Sequence, residues 1–512
     1  MASSLIRGRY VVCHARDEGA PLIIEDGAVF QVEGTIVEIG KFADLSRRCA
    51  VEETIGSADS VVLPGFVNAH HHVGLTPFQL GSADYPLERW IISRMAARRV
   101  DLHLDTLYSA FQMVESGITT VQHMHGWVPG TIDDVIHGST SVIDGYERVG
   151  MRCSYSYLAR DQCRLVYDDD SAFIATLPPT LQGDAEEFVR QRTLPIADIV
   201  DLFRQLSAAR RRDGRIRIQL APANLHWCSD ALLGEIGDLA RRYDVPMHFH
   251  LLETPFQKKY AYKRCGGSAV EHLGKLGLLG PNMTLGHSVW VTERDLDLMA
   301  ETKSCVCHNC SSNFRLCSGI APLHEFLGRG LTVGLGIDEA GINDDRDILQ
   351  EMRLVRLVHR LPNAHEMAPS PAQIFRMATE WSANTTPFKD EIGTLEPGKA
   401  ADLAIMDWKH IAEPYLEHGT PIIDAVIYRA RAGAIDTVIV GGECIYREGR
   451  FTRIDKDAAL AELKASLSGP PDASDQQRRK FGEALWPHVN SFYAAYREPE
   501  NCQPFYVVNS RV

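Results

Sequence analysis

The sequence predicts an α/β protein: a (β/α)8 TIM barrel, a small β-sandwich built from both chain ends, and a helical C-terminal tail. Three observations predict it. Short strand-like segments fill the first sixty residues and return after about residue 394. Between them, short apolar runs alternate with long helix-capable segments, which is typical of a parallel sheet with helical crossovers. Beyond about residue 450 the pattern is helical and rich in aromatic residues.

The two chain ends are predicted to share one antiparallel unit. Each short strand-like segment there is followed by turn residues, such as Glu25-Asp26-Gly27. The predicted strands are 9–12, 21–24 and 35–40 near the N-terminus, and 400–406, 437–440 and 443–446 near the C-terminus. The resulting domain boundaries are 1–62 with 395–450 for the sandwich, 63–394 for the barrel and 451–512 for the helical extension.

The central region contains eight short apolar runs, which is the number of strands that closes a barrel. Helix-capable segments separate them, as βα units require. The predicted barrel strands are 61–67, 118–122, 153–157, 216–221, 245–249, 283–286, 304–307 and 331–337.

Composition excludes several classes of protein. The 512 residues are 45% hydrophobic and 23% charged, which is too apolar for a disordered chain. A net charge of −14 disfavours a nucleic-acid surface or an anionic membrane as partner. The first residues lack a signal-peptide pattern and no long apolar run occurs, so a cytoplasmic location is expected. Twelve cysteines are too sparse for a disulfide scaffold, and the cluster Cys305, Cys307 and Cys310 is interpreted as small buried side chains rather than a metal site.

Histidines recur in pairs at the ends of predicted strands. Twenty histidines in 512 positions give about 0.8 pairs at i, i+2 by chance, whereas the sequence has three. In a strand, i and i+2 share a face, so each pair projects toward the barrel axis near the mouth where barrel active sites lie. A single pair is more often structural, but three pairs favour a metal site. The pairs are His70/His72, His123/His125 and His248/His250.

Three further side chains end strands or follow them closely. Glu253 lies three residues after His250 in the following loop, where it can reach over a metal-bound water. His287 ends the run Leu285-Gly286-His287, and Asp338 follows the glycine-rich run 334–337. These positions predict an acid and a base beside the histidines.

Together these motifs resemble the amidohydrolase superfamily, in its mononuclear deaminase and triazine-hydrolase branch, which includes cytosine-deaminase-like enzymes and chlorohydrolases. The resemblance covers about residues 5–450 and includes the stretch 393–403. It depends on Pro64, Gly65, Asn68, His70, His72, His250, Glu253, His287 and Asp338.

The resemblance implies that His70, His72, His250 and Asp338 hold one divalent metal ion. Zinc suits this nitrogen-rich donor set best, and iron is the alternative. Hydroxide generated from water at the ion would attack the substrate, with Asp338 accepting its proton.

The resemblance also implies that Glu253 moves that proton to the ring and then to the leaving group. His287 would hydrogen-bond the attacking oxygen. Binuclear members of the superfamily carry a bridging lysine, but this chain has no lysine between Lys41 and Lys258, so one ion is expected.

Departures from relatives bear on the substrate. Leu80-Gly81 and Ala223 stand where adenosine-type deaminases have an Arg-Gly and a histidine, which disfavours a nucleoside. The stretch 119–130 is similar to triazine hydrolases and oxidised-guanine deaminases. Glu339 stands where relatives usually have glycine, and its carboxylate could favour a basic, amine-rich substrate. The candidate substrate contacts are His125, Gln79, Trp127 and Glu339.

The leading functional hypothesis is an aminohydrolase that removes an amine from a C=N carbon of a nitrogen heterocycle. Hydrolysis of an exocyclic amide, urea or carbamate bond is an alternative, as is dechlorination of a triazine-like ring. A non-catalytic scaffold is a third alternative, which the complete ligand set disfavours. The expected partners are a small-molecule substrate and further copies of the chain, with no nucleic acid and no membrane.

Overall fold

The computed structural model describes residues 3–15, 21–72, 74–126, 128–210, 214–361 and 369–496. These ranges contain strands β1 (Ser3–His14), β2 (Leu22–Val32), β3 (Thr35–Lys41), β4 (Glu53–Gly56), β5 (Ser60–Pro64), β6 (Phe66–His71), β7 (Ile118–His125), β8 (Arg152–Ala159), β9 (Ile216–Ile218), β10 (Ala221–Pro222), β11 (Met247–Leu251), β12 (Met283–His287), β13 (Cys305–His308), β14 (Val333–Leu335), β15 (Leu403–Asp407), β16 (Ile435–Val440), β17 (Glu443–Arg447) and β18 (Arg450–Phe451).

The same ranges contain helices α1 (Phe42–Arg48), α2 (Leu87–Ser93), α3 (Leu102–Glu115), α4 (Ile132–Val149), α5 (Asp170–Ala175), α6 (Pro179–Arg192), α7 (Ile196–Ala208), α8 (Asp230–Tyr243), α9 (Pro255–Cys265), α10 (Ala269–Lys275), α11 (Glu293–Glu301), α12 (Cys310–Arg315), α13 (Leu323–Gly328), α14 (Ile348–Val358), α15 (Pro371–Met377), α16 (Glu380–Ala383), α17 (Trp408–Ala412), α18 (Ile422–Arg429), α19 (Lys456–Ser466) and α20 (Ala473–Tyr496). Short 3-10 helices occupy Arg94–Ala96 and Ala432–Ala434.

Parallel strands curl into a barrel. Strands β6, β7 and β8 pair in parallel, β9 and β10 extend β8, and β11 to β14 form a second parallel set. Isolated parallel bridges join the two sets, from Leu220 to Met247 on one side and from His71 to Asp338 on the other. The predicted parallel α/β barrel is therefore confirmed as a TIM-like fold.

Two predicted barrel strands are interrupted. The run 61–67 is divided at Gly65 into β5, which joins the terminal sheet, and β6, which joins the barrel. A Cβ at Gly65 would lie 2.3 Å from the Thr119 side chain, so only glycine allows the chain to pass this close to β7. The run 216–221 is likewise divided, into β9 and β10.

Strands from both chain ends form a single nine-stranded sheet. Its order is β18-β17-β16-β15-β5-β1-β2-β3, with β4 pairing on β1. Strand β15 runs antiparallel to β5, which directly precedes barrel strand β6. The structure gives one continuous sheet, so its division into the two layers of a sandwich stays a prediction.

A buried ion pair joins the barrel to this sheet. Arg152, the first residue of β8, donates from Nε and Nη2 to the two carboxylate oxygens of Asp402, each at 2.9 Å. Asp402 also accepts from the backbone N–H of Gly441 at 2.7 Å. Such bidentate charged hydrogen bonds fix geometry as well as contributing energy, so they hold β8 at a set position relative to β15.

Helix α20 packs beside the C-terminal mouth of the barrel. Arg478 donates to the backbone carbonyl of Ala97 at 2.7 Å, and the Tyr493 hydroxyl accepts from the backbone N–H of Tyr167 at 3.2 Å. No helix in the described ranges is long and apolar enough to cross a lipid bilayer.

Candidate active site

Three histidines from distant parts of the chain meet inside the barrel. His70 and His72 lie at the C-terminal end of β6, and His250 lies in β11. The Nε2 atom of His72 is 3.0 Å from Nε2 of His70 and 3.2 Å from Nε2 of His250. The alternation of side chains along β6 directs His70 to the barrel interior, and His72, two residues further and directly after the strand, lies on the same side; the rings of His70, His72 and His250 are all buried.

Backbone carbonyls determine which ring nitrogen carries the proton in two of these histidines. His72 Nδ1 donates to the carbonyl of Met124 at 2.7 Å, and His250 Nδ1 donates to the carbonyl of Ala223 at 2.9 Å. Since a carbonyl only accepts, the proton of each neutral ring lies on Nδ1 and each Nε2 presents a lone pair. Two lone pairs that face each other at 3.2 Å repel unless a cation lies between them. Carbonyl contacts of this kind orient histidines that bind metals.

Asp338 brings a carboxylate to the same point. Its Oδ1 lies 3.3 Å from His72 Nε2 and 3.7 Å from His70 Nε2, while its Oδ2 accepts from the Ser312 hydroxyl at 2.6 Å. Asp338 has φ +61°, in the left-handed region that non-glycine residues rarely adopt. His71 Nδ1 donates to its carbonyl at 3.0 Å, which helps to hold this strained backbone in place.

The donor set fits a divalent cation. The candidate ligand atoms of His70, His72 and His250 lie within 4.8 Å of one another, as do those of His70, His287 and Asp338. Imidazole nitrogens combined with a carboxylate suit zinc and iron better than magnesium or calcium. The opposed lone pairs of His72 and His250 are the observation that favours an ion at this point.

Glu253 and His287 flank the histidines. The Oε1 atom of Glu253 accepts from the Ser318 hydroxyl at 3.3 Å and lies 3.7 Å from His287 Nδ1. Burial raises the pKa of Glu253 to about 7, so this carboxyl can gain or lose a proton near neutral pH. His287 is fixed on both ring nitrogens, because Nδ1 donates to Asn313 Oδ1 at 2.9 Å and Nε2 accepts from Asn309 Nδ2 at 3.2 Å.

These side chains surround one small cavity of about 40 Å³. That volume is enough for a water molecule, and the polar atoms on the wall can hydrogen-bond it. The predicted ligands and catalytic residues on the wall are His72, His250, Glu253, His287 and Asp338.

The amidohydrolase family model matches residues 61–445, which cover the whole barrel and part of the terminal sheet. The chain belongs to the amidohydrolase family. The resemblance inferred from the motifs is therefore confirmed, and this amidohydrolase is a hydrolase.

Curated relatives match nearly the full length of this amidohydrolase. The 5-methylthioadenosine/S-adenosylhomocysteine deaminase of Thermodesulfovibrio yellowstonii is 26% identical over 465 residues, covering 89% of this chain and 96% of the relative. The 5'-deoxyadenosine deaminase of Methanothermobacter thermautotrophicus is 28% identical over 459 residues, covering 86% and 97%.

Solved structures share the fold of this amidohydrolase. An adenosine deaminase from Xanthomonas campestris with bound zinc superposes with a TM-score of 0.77 at 23% identity, covering 94% of this chain and 99% of that chain. The atrazine chlorohydrolase of Arthrobacter aurescens TC1, complexed with zinc, gives 0.79 at 23% identity, covering 90% and 99%. At these identities the likeness concerns the fold.

The side chains predicted to contact the substrate do not lie together in the structure. His125 is buried in the wall of a larger neighbouring cavity, and burial lowers its pKa to about 4. Gln79 is exposed, and its amide donates to the Tyr108 hydroxyl at 3.0 Å. Gln79 lines neither cavity, so the geometry gives its predicted role no support. Trp127 lies outside the described residues.

Glu339 lines the small cavity, but its charge is already paired. Arg94 Nη1 donates to its Oε1, across 245 positions of sequence. A carboxylate attracts a basic substrate when no cation lies beside it. Because Arg94 already occupies that place, the structure does not support the hypothesis that Glu339 attracts a basic substrate. Among the described residues, Glu339 Oε2 is buried without a hydrogen-bond partner, so it remains an acceptor at the cavity wall.

Sequence reasoning missed several wall residues of this amidohydrolase. Asn224 follows β10 and bridges to His250, and its Nδ2 has no hydrogen-bond partner among the residues described. The strand-end rule that found the histidines could have found Asn224. Trp90 and Ile91 lie on α2. The position of α2 at the mouth of the barrel depends on tertiary packing, so no local pattern in the sequence indicates it.

Gly336 provides the space that His70 needs. A Cβ at this position would lie 2.4 Å from His70 Cβ and 2.3 Å from Asn309 Oδ1. The Gly336→Ala variant is therefore expected to displace His70, to weaken zinc binding about 10–100-fold and to lower the free energy of unfolding by roughly 1–3 kcal/mol. Competition with a zinc chelator and chemical denaturation measure the two effects.

Gly328→Ala is the matched control, because a Cβ at the end of α13 meets nothing within 4 Å. That variant should bind zinc and unfold as the wild type does. Wild-type zinc affinity in Gly336→Ala would contradict the placement of His70 in the ligand set.

Proposed function

We propose that this amidohydrolase is an aminohydrolase that uses one divalent ion, zinc in preference to iron, to release an amine from a C=N carbon of a nitrogen heterocycle. The observation that carries the proposal is the convergence of metal-binding and proton-transferring side chains on one buried cavity. Both curated relatives described above are named deaminases. The side chains concerned are His70, His72, His250, Glu253, His287 and Asp338.

The ion would be held by His70, His72, His250 and Asp338. When bound, it would lower the pKa of a water molecule in the cavity toward about 7. The absence of lysine between Lys41 and Lys258 supports a single ion, since no residue of that type is available to bridge two.

Two carboxylates carry out the proton transfers. Asp338, whose Oδ1 faces the imidazoles, accepts a proton from the attacking water as the C–O bond forms. Glu253 lines the same cavity and, starting protonated, delivers its proton to the ring nitrogen. It then takes the proton held by Asp338 and passes it to the departing amine as the C–N bond breaks, and it recovers a proton from the new hydroxyl group as that group becomes the carbonyl. His287 Nε2 lies 3.7 Å from Asp338 Oδ2; because the ring proton is on Nδ1, Nε2 would accept a hydrogen bond from an O–H of the attacking water in place of Asn309 Nδ2.

The side chains around the small cavity offer contacts to part of a flat polar ring, because the volume of about 40 Å³ is too small for the whole ring. Trp90 and Trp227 supply aromatic surface, and flat rings stack well on such side chains. Asn224 Nδ2 offers a donor and Glu339 Oε2 an acceptor, neither of which has a hydrogen-bond partner within the described part of the chain. A heteroaromatic ring with both an acceptor nitrogen and a donor group would satisfy the two atoms.

A panel assay for released ammonia tests the proposal. The zinc-loaded enzyme is offered aminated pterins, purines, pyrimidines and triazines. Nucleosides are included because the two curated relatives are named for adenosine derivatives, whereas Leu80, Gly81 and Ala223 disfavour a nucleoside. We expect at least one heterocycle to release ammonia in amounts equal to the hydroxylated product formed. Release of an aniline or alkylamine from ureas, with no ammonia from any ring, would favour the amide or urea alternative instead.

We also propose the domain division 1–62 with 395–450, 63–394 and 451–512, with the terminal unit a β-sandwich. A separate buried apolar cluster supports a distinct core for that unit, because its members come from both chain ends. They include Ile6, Val11, Val29, Leu403, Ile405 and Ile439.

A further inference from the structure

A second and larger cavity, of about 460 Å³, lies beside the small one. Its wall is strongly cationic, with seven arginines against two aspartates. The arginines come from α6, α20, the 3-10 helix after α2 and neighbouring loops, so folding has gathered them from distant segments. We call this cavity, whose wall includes Arg98, Arg164 and Arg192, the arginine chamber.

The two aspartates are engaged elsewhere. Asp105 accepts from the backbone N–H groups of Gly74 at 2.8 Å and Leu75 at 2.6 Å. Asp134 accepts from the backbone N–H of Thr131 at 2.7 Å, at the start of α4. Within the described ranges neither carboxylate lies in ion-pair distance of a chamber arginine. Arg94 is paired with Glu339, and Arg478 with Asp475 at 2.7 Å, so these two charges are offset and the cationic excess lies on other arginines of the wall.

Two arginines show this excess most clearly. Arg164 is buried, donates from Nε to the Thr193 hydroxyl at 3.3 Å, and has no hydrogen-bond partner for Nη1 in the part of the chain described. Arg192 lies 3.9 Å above the Phe188 ring and donates to that residue's carbonyl at 3.4 Å. Their acceptors are neutral, and of the residues described none places a carboxylate within ion-pair distance of either guanidinium.

Gathering guanidinium groups in a partly enclosed space is unfavourable unless an anion offsets the repulsion. Burial together with Arg478, Arg99 and Arg164 lowers the pKa of Arg192 to about 10, which reflects that crowding of like charge. Guanidinium groups bind carboxylate and phosphate oxygens through paired, charged hydrogen bonds. A bound oxyanion would therefore offset the repulsion between these arginines.

The arginine chamber adjoins the small cavity that holds the catalytic side chains. Ile91 lines both cavities. Arg94 lines the chamber and donates to Glu339, which lines the small cavity. Since about 40 Å³ accommodates water but not a heterocycle with its substituents, a bound substrate needs further space, and the arginine chamber is the neighbouring volume.

We propose that the arginine chamber binds a carboxylate or phosphate group carried by the substrate. The inference rests on the proposed function, and it narrows the substrate to nitrogen heterocycles with an anionic substituent. The reaction that supplies such a substrate would have to leave that acidic group on the ring.

Anion binding to the zinc-loaded enzyme provides the first test. Isothermal titration calorimetry with inorganic phosphate and with malonate should detect binding. The anion that binds with the higher affinity identifies the preferred oxyanion. In Arg192→Gln we expect the affinity for that anion to fall about tenfold or more, because a charged donor is lost. Arg192→Lys retains the charge but loses the paired donors of the guanidinium, so its affinity should lie between those of the wild type and Arg192→Gln.

Arg190→Gln is the matched control, since Arg190 lies on the same helix but is 72% exposed and pairs with Glu187 at 2.6 Å. Its anion affinity should stay within about twofold of wild type, as for exposed ion pairs generally. Absence of binding by both anions, or an equal loss in Arg190→Gln and Arg192→Gln, would overturn the inference. Thermal unfolding with and without phosphate separates a folding defect from lost binding, because only a ligand-binding protein is stabilised.

Matched substrate pairs provide the second test. Pterin is compared with pterin-6-carboxylate, and adenosine with adenosine 5'-phosphate. We expect a higher kcat/KM for the anionic member of any pair that reacts, and a fall of about tenfold or more in this preference in Arg192→Gln. Faster turnover of the neutral member would overturn the inference while leaving the proposed function intact. Anion binding without ammonia release from any ring would refute the proposed function and support the arginine chamber as an anion site.

Discussion

The Asp338→Asn variant is expected to lose about 10⁴-fold in kcat for amine release. The carboxylate lies 3.3 Å from His72 Nε2 and 3.7 Å from His70 Nε2, and in the proposed function it serves both as a ligand and as the acceptor of the water's proton. An amide is a weaker ligand and does not accept the proton, while its size is nearly unchanged. Steady-state kinetics at saturating zinc, with metal content determined on the same sample, measure the loss.

Asp390→Asn is the control for this change, since Asp390 is an exposed aspartate that lines neither cavity. It should keep wild-type kcat and metal content. An Asp338→Asn enzyme that keeps more than about a tenth of wild-type kcat would remove Asp338 from the reaction, because loss of acid–base catalysis alone is worth 10²–10⁴-fold.

Glu253→Gln is expected to lower kcat by about 10³-fold while leaving zinc content and affinity unchanged. Glu253 lies 3.7 Å from His287 and outside the proposed ligand set, so under the proposed function its carboxyl transfers a proton and does not hold the ion. Glutamine keeps the size of the side chain and can still accept from Ser318. Kinetics together with metal analysis distinguish this variant from Asp338→Asn, in which both quantities change.

Comparing two leaving groups tests the role of Glu253 more specifically. Chloride departs without a proton, so a chloro-substituted ring should show a smaller defect in Glu253→Gln than the corresponding amine. Glu293→Gln, at a 75% exposed position, is the control. Equal defects for both leaving groups, or loss of zinc from Glu253→Gln, would contradict the proposed proton transfer to the amine.

The convergence of His70, His72, His250 and Asp338 was predictable because their signals are local. A strand directs i and i+2 to one face, and parallel strands bring their carboxyl ends to one mouth. His72 and His250, 178 positions apart, therefore meet at 3.2 Å as the strand pattern predicted. Closure of the barrel pairs His71 with Asp338 through an isolated β-bridge, and this pairing places the Asp338 carboxylate beside the imidazoles. The prediction that His123 and His125 also project toward the barrel axis was wrong for His123, whose Nδ1 lies 2.8 Å from the Tyr146 hydroxyl of α4 because that face of β7 packs on the helix.

Features that depend on distant packing could not be predicted. The Arg94–Glu339 pair joins residues 245 positions apart, and neither periodicity nor motif spacing encodes it. The division of the run 61–67 at Gly65 depends on how close Thr119 lies on the next strand. The arginine chamber arises from side chains scattered between residues 94 and 478, each of which looks like an ordinary surface arginine in the sequence.

The central claim is that one ion lies among His70, His72, His250 and Asp338. Anomalous diffraction at the zinc edge, on crystals of the zinc-loaded enzyme, tests it most directly. We expect a single peak in the barrel, about 2.0–2.2 Å from the Nε2 atoms of the three histidines and from a carboxylate oxygen of Asp338. Two peaks, a peak bound by other side chains, or no peak at all would contradict it.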